Sequence, residues 1–471
     1  MMHIKESEKI PNKLIMVIEI LVLVSALIST GICFCSELSE YLWLLPLGYL
    51  LCFALVIFKR EYVIHNIFLV IIVGVYYIRD VIIPALFYCA NIDPWNLRAN
   101  YEHYHRIYNT QATVTIMLLE LVSAFLIIRL FGERYTLRNE PEYRREQGSI
   151  LNIAVIAAGI FLIIREPYYL GSYDMIFQFY AYEAVSYKAI LLSVASVLVS
   201  VWLVIVIKRQ KRMPDIIKVC LTGIVWCIFC VEASLGSNEY HAISRWDFIL
   251  NFLIGGIILM WLYPKYKKAL LYALGITGLL GIGILSVFRG FSAAMFFCYT
   301  NFNDYFAGPT NISFAVDMCQ SNNFEIGFQT FLGDVFGNVP IINHYLPEKN
   351  NLVVYFSKTI YGIRSDQYDK IVPFSGQMFA YLSYPGVVLG NALITFITLI
   401  TGYWAKKLNN LFLCYTVLFI AVIFCLGTIF NINIVFQYLS ITIFPILFVA
   451  VVDAIVGRLI KDKLFRERKK S

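Results

Sequence analysis

Two arginines stand where polar sequence meets apolar sequence. Arg245 follows the run SNEYHAIS and opens an apolar segment that also carries Asp247 and Asn251 at helical spacing, and Arg289 closes another in SVFRGF. A guanidinium is planar, stays charged and grips two phosphate oxygens at once, a hold that strengthens beside a low-dielectric medium. Lys349 and Arg364 add cations further along. The same regions supply proton acceptors: Asp304 in NFNDYFAGPTN and Asp334 in FLGDVFGN are acids in otherwise apolar surroundings. His241 and His344 have neutral rings suited to taking a hydroxyl proton. Each of these groups, taken alone, is also read as a solvated or salt-bridged side chain, and Arg289 as a cation snorkelling from a helix end.

Between Arg289 and Gly376, rings such as Tyr305 and Tyr345 alternate with turn residues, and Tyr381 follows Gln377 in IVPFSGQMFAYLSYPGVVLG. Rings at headgroup depth form an interfacial belt. Rings lining a cleft offer flat apolar platforms with polar edges on which a sugar face stacks. Other chemistries lack their motifs: there is no G-x-x-x-x-G-K-[ST] for a nucleotide triphosphate, no clustered His/Cys spacing for zinc and no D-x-D for a divalent cation. D-x-x-D at Asp366 and Asp369 is too weak a substitute. The expectation is metal-independent chemistry with no cofactor.

Composition dictates the elements that must position these groups. Of the 471 residues 59% are hydrophobic and 15% charged, with a mean hydropathy of +0.71. A soluble surface does not accommodate that balance, whereas a bilayer does. Apolar runs matched to a hydrocarbon core about 30 Å thick recur from end to end. Helices satisfy their own backbone groups in lipid, so these runs predict spans at 14–35, 41–58, 62–78, 112–131, 150–164, 189–207, 216–235, 247–263, 269–288, 379–403, 411–430 and 434–457. The expected fold is an all-α polytopic membrane protein of about twelve transmembrane helices, a single membrane-embedded domain over 1–471. Val81 to Ala90 is a candidate re-entrant piece.

With the N-terminus inside, the cytoplasmic connections hold 25 of the 38 basic residues, so both termini are expected inside. The net charge of +7 then reflects topology and offers no support for a nucleic-acid partner. The eleven cysteines mostly sit in apolar spans as small hydrophobes, with Cys89, Cys298 and Cys319 near the outer face. One long extracytoplasmic loop, 289–376, lies between the ninth and tenth spans, and its composition suits short helices against the membrane surface. Within it Pro309, with Thr310 or Asn311 behind it to cap, marks a helix start.

Four segments on this layout resemble the Wzy-type oligosaccharide repeat-unit polymerases of O-antigen, capsule and related surface glycans. SRWDFIL resembles the family's arginine opening a span after a small polar run, and NDYFAGPTN its aspartate followed by an aromatic and a proline. VPIINHYLPEKN resembles its two spaced prolines followed by a base, here Pro340, Pro347 and Lys349. VPFSGQMFAYLSYPG resembles a Pro and Ser followed by Gly, an acid, aromatics and a Gly-rich helix, with one departure: Gln377 stands where that segment often carries glutamate. A hydrogen-bonding role is the most that Gln377 inherits.

The resemblance implies a GT-C-like membrane glycosyltransferase at the outer face of the bacterial cytoplasmic membrane. A growing glycan leaves its polyprenyl diphosphate and joins a hydroxyl of the next lipid-linked repeat unit. Arg245, Arg289, Lys349 and Arg364 would hold the diphosphate, and Asp304, Asp334, His344 and His241 are the candidates for the hydroxyl proton. Tyr305, Tyr345, Gln377 and Tyr381 would contact sugar. The implied partners are polyprenyl-diphosphate-linked oligosaccharides, membrane lipid, a chain-length regulator and a flippase.

Two rivals share much of this layout. A flippase for the same lipid-linked glycan suits the span count, and the intramembrane carboxylates Glu19 and Glu120 favour transport, although a helix-to-helix hydrogen bond is their plain alternative. An O-antigen ligase-type enzyme would share the donor and the arginines. On the polymerase reading, Arg245→Ala or Arg289→Ala is expected to remain in the membrane yet leave single repeat units on surface lipid, resolved by gel analysis of the glycan. Polymer lengths equal to the parent's in both variants would reject the diphosphate role.

Overall fold

The computed structural model describes residues 12–35, 41–57, 66–89, 110–137, 150–165, 187–234, 245–288, 303, 305–321, 324–337, 339, 342, 351–362, 371–452 and 455–456. Among these the chain is helical throughout and holds no strand. A helix stands over each of the twelve apolar segments read from the sequence: α1 (Asn12–Phe34), α2 (Leu44–Ile57), α3 (Ile67–Cys89), α4 (Thr110–Phe131), α5 (Ile150–Arg165), α6 (Tyr187–Arg209), α7 (Asp215–Ser234), α8 (Arg245–Leu262), α9 (Lys267–Phe288), α13 (Phe374–Lys407), α14 (Leu411–Cys425) and α15 (Ile432–Val452). Between α9 and α13 lie three shorter helices, α10 (Pro309–Gln320), α11 (Phe328–Phe336) and α12 (Leu352–Tyr361). Among the described residues five helices are long and apolar enough to cross a membrane, or up to six if the pair Phe248–Leu262 and Pro264–Gly278, bent by 111°, is one span. This is the architecture of a membrane protein.

Apolar side chains cannot by themselves drive one helix onto another inside lipid, so close approach and polar bonds decide the packing. Asn251 shows how. Its carbonyl accepts the Trp226 indole N–H at 2.7 Å and its amide oxygen accepts the Tyr415 hydroxyl at 3.0 Å, joining α7, α8 and α14. At one end of the bundle lysines bond backbone carbonyls at or just beyond helix ends: Lys208 donates to Leu262 O at 2.6 Å and Lys406 to Leu137 O at 3.2 Å. The C-terminal ends of α4, α6, α8 and α13 therefore meet at one Lys/Arg-rich end.

Helix α3 runs longer than the apolar run suggests. Arg79 and Asp80, expected to open a connection, are instead buried in a single π-helical turn, Ile78–Ile82, and the helix continues to Cys89 without a re-entrant break. Arg79 pairs with Glu120 of α4 at 2.5 Å. That pairing offsets part of a desolvation cost of several kcal/mol per ion.

Helix α10 begins at Pro309 as expected, but its capping group is not Thr310 or Asn311. Gly308 is the cap residue, and the Asn303 side-chain oxygen accepts the Thr310 N–H at 3.3 Å.

Helix α13 is two limbs. Ser383 takes φ 56° and ψ −152°, two residues before Pro385, and the chain doubles back there. Asn391 Nδ2 consequently reaches Ser375 Oγ at 3.0 Å across sixteen positions, which a straight helix would hold roughly 24 Å apart. The tight fold needs glycine: a Cβ on Gly390 would stand 2.5 Å from the Met378 side chain, and one on Gly386 would meet the Met378 carbonyl oxygen. The first limb lies back along the second, which is about 24 residues or roughly 36 Å long and ends at Lys407.

The reversal is open to a direct check. Ser375→Cys combined with Asn391→Cys is expected to cross-link through a short bifunctional thiol reagent in native membranes, read by mass spectrometry of the bridged peptides. A continuous rod would give no such product.

Candidate functional site

The site forms where the three short helices meet the first limb of α13 and the start of α15. Asp334, near the end of α11, is its centre and is 1% exposed. Oδ1 accepts the Leu352 backbone N–H at 3.0 Å, the first N–H of α12. Oδ2 accepts Gln377 Nε2 at 2.5 Å and the Tyr381 hydroxyl. Asn433, its amide orientation assigned from this network, donates to Oδ1 at 3.2 Å and to the Asp334 carbonyl oxygen. Four donors from three segments of chain, α12, the first limb of α13 and α15, converge on one carboxylate.

Local sequence explains each arrival. Gln377 and Tyr381 lie one turn apart on the first limb of α13, so both face Asp334. Asn351 caps α12 by accepting the Val354 N–H at 2.9 Å, which leaves the Leu352 N–H free for the acid. Asn431 caps α15 by accepting the Ile434 N–H at 2.8 Å, and the Ile432 N–H goes to Gln377 Oε1 at 2.7 Å. The Gln377 amide is thereby used from both sides, as donor to the acid and acceptor from a helix start. A glutamate could not do this beside Asp334, because two carboxylates so close do not both ionise.

Burial pushes the Asp334 carboxyl up to about 6, against the bonds from Tyr381, Leu352 and Gln377, which favour its charged form. Tyr381 is the half-buried member, and Leu382, Ser383, Tyr384 and Pro385 beyond it are exposed. The Tyr381 ring meets Phe331 edge-on at 5.3 Å, and Phe331 stacks with Phe328 at 6.3 Å. Phe328 is 73% exposed. A ladder of rings thus runs from the surface to the hydroxyl that bonds the buried acid.

Of the residues singled out from the sequence, the structure brings together Asp334, Gln377 and Tyr381. Tyr305 is half-buried just before α10 and is not among the hydrogen-bond partners of Asp334. Arg245 begins α8 as expected, described by its backbone. His241, Arg289, Asp304, His344, Tyr345, Lys349 and Arg364 lie outside the described residues. Phe331 is one of the rings that the sequence offers between Arg289 and Gly376; sequence reasoning missed Asn433, Phe328 and the pairing of Phe328 with Phe331. The i, i+3 spacing of two phenylalanines just ahead of Asp334 was the available signal for the rings, and Asn433, ninety-nine positions away, had none.

Comparison of the chain with protein-family models, with curated proteins and with solved structures finds no match.

An acid raised above the roughly 3.9 of free aspartate is penalised for ionising in the fold. The stability linked to Asp334 is therefore full below about pH 4 and is lost as pH rises through about 6. Asp334→Asn is expected to remove that slope. It is also expected to destabilise by about 1–3 kcal/mol, because its NH2 must face a donor on either side. Thermal unfolding in detergent across pH reads both effects; an unchanged slope would discount the acid's burial.

Proposed function

We propose that this chain is a metal-independent glycan polymerase of the cytoplasmic membrane, with about twelve spans and the segment 289–376 on the outer side. The observation that carries the reading is the ring ladder Phe328–Phe331–Tyr381 ending on a buried carboxylate. Sugar faces stack on such rings, and glycosyl transfer to a hydroxyl needs a proton acceptor at the end of them. The acid that the family resemblance expects after Gly376 is, on this reading, supplied by Asp334, while Gln377 takes the neutral role its chemistry permits.

The step runs as follows. A hydroxyl of the incoming lipid-linked repeat unit donates to the Tyr381 oxygen, and the phenol proton moves to Asp334 Oδ2. The hydroxyl oxygen forms its bond to the anomeric carbon of the growing chain as that carbon's bond to the polyprenyl diphosphate breaks. The diphosphate leaves as an anion, held by Arg245, Arg289, Lys349 and Arg364. Tyr381 touches substrate; Asp334, fully enclosed, acts through it. The lipid tail stays in the bilayer beside the spans, and a chain-length regulator and a flippase are the partners such a reaction uses.

Transport of the same lipid-linked glycan is the second reading, favoured by the buried charges Arg79, Asp80 and Glu120 near the middle of α3 and α4. Ligase-type transfer to a different acceptor would employ the same donor chemistry.

Purified protein in detergent, given one lipid-linked repeat unit of matched structure, is expected to lengthen it, since polymer forms without a sealed membrane and translocation has no meaning there. Tyr381→Phe is expected to slow that lengthening roughly 10²-fold, the low end of the range for a lost proton relay, with the KM for the repeat unit little changed. Phe328→Ala is expected to raise KM instead. No lengthening by the parent would turn the assignment to transport, and a fully active Tyr381→Phe would remove the relay.

A further inference from the structure

The buried trio Arg79, Asp80 and Glu120 is not used by any step above. Asp80 is 1% exposed and Glu120 0%, enclosed by protein near the middle of α3 and α4. Arg79 Nη1 bonds Glu120 Oε1 at 2.5 Å, and the Tyr76 hydroxyl donates to the same oxygen at 3.3 Å. The second Glu120 oxygen has no partner, and neither does either oxygen of Asp80. Arg79 Nε and Nη2 are likewise unbonded. Two carboxylates and one guanidinium leave the enclosed trio one negative charge in excess when all are ionised. An unpaired carboxylate in a dry interior costs far more than a neutral acid.

The neighbours do not supply the missing positive charge. Helix α2 presents Tyr49 and Cys52 to Asp80, and α3 itself presents Tyr76 and Tyr77, whose hydroxyl is bonded to Ser25 of α1. Helix α1 contributes the Ser29 hydroxyl, which donates to Val81 O at 2.9 Å inside the π turn, and Cys33 beside it. Phenols and thiols are neutral at about pH 7 in their ordinary state. The cations of α13, Lys406 and Lys407, stand at its far end, and Cys425 of α14 bonds the Phe68 carbonyl at the start of α3. A metal cation would find three open carboxylate oxygens, but two unbonded guanidinium nitrogens repel it from the same space. A proton needs only one oxygen.

We propose that the trio Arg79, Asp80 and Glu120 forms a proton-binding site in the centre of the bundle, reaching zero net charge when one proton is taken up as the Asp80 carboxylate becomes a carboxylic acid. Asp80, with both oxygens open, receives it. The site stands apart from Asp334 and Tyr381, so it holds or fails whether or not the chain polymerises glycans. It ties the packing of α1, α2, α3 and α4 to proton activity.

Infrared spectra of the full chain in lipid nanodiscs test it. The parent at neutral pH is expected to show the carbonyl stretch of a protonated carboxylic acid, shifted when carboxyl-labelled aspartate is incorporated. Asp80→Asn is expected to fold as the parent does, since the amide is a neutral isostere, and to lose the band; Asp80→Glu should move it. A parent with no label-sensitive acid band, or a band that persists unchanged in both variants, overturns the proposal, and the labelled parent alone decides if neither variant folds. Sodium that raises the parent's melting temperature at constant ionic strength, but not that of Asp80→Asn, overturns it in favour of a metal cation.

Discussion

A polar atom buried inside this bundle is shielded from bulk solvent, and most departures from plain apolar helix carry their own set of protein partners. Regular helix answers the demand for the backbone. Where regularity stops, side chains take over: Asn351, Asn410 and Asn431 cap the starts of α12, α14 and α15, and Asn303 caps α10 from seven positions upstream of Thr310. Ser29 accompanies the π turn of α3 in the same way. These bonds are modest singly, about 1 kcal/mol each. Their loss is expensive, because the atom left behind stays buried.

Asp334 concentrates that constraint. Helix α11 could not hold a fixed position by apolar contact alone, since it contributes only Thr330, Asp334 and Val335 as buried side chains, whereas α10 and α12 share an apolar cluster. A carboxylate that gathers donors from α12, both the amide and the phenol of the α13 limb, and Asn433 of α15 fixes four segments relative to one another. The reversal at Ser383 serves the same end. It carries φ 56°, which costs on the order of 1–3 kcal/mol for a side-chain-bearing residue, and it turns the Gln377 and Tyr381 limb back beneath α11 where a straight helix would project it away.

Much of the fold was legible in the sequence because hydrophobic run length is a local property. The twelve apolar segments are each helical, Pro309 starts its helix, and the Gly/Pro-punctuated stretch YLSYPG bends. What escaped is long-range. Arg79 and Asp80 look like the end of a span because a charged pair after VGVYYI ordinarily meets water; the partner that keeps Arg79 inside is forty-one positions away. Asp334 was legible as an acid in apolar surroundings, and Gln377 and Tyr381 as polar groups on a bending limb, yet nothing local says that they meet. Their contact depends on the chain reversing fully at Ser383, and Gly, Pro and Ser announce a bend without its angle.

Asp334 and Asp80 answer the same cost in opposite ways. Each is about 1% exposed, and each would be unaffordable as a bare anion. Around Asp334 four donors share the charge, so the carboxylate persists as an acceptor, and the half-exposed Tyr381 hydroxyl is its contact with whatever approaches along the rings. Around Asp80 no donor is spent, and Arg79 gives its one bond to Glu120. A saturated acid is suited to hold structure and pass a proton along a bond already made. An unsaturated one is suited to bind something from outside, and the sparing of Asp80 by every neighbour on α1, α2 and α4 is what separates the two.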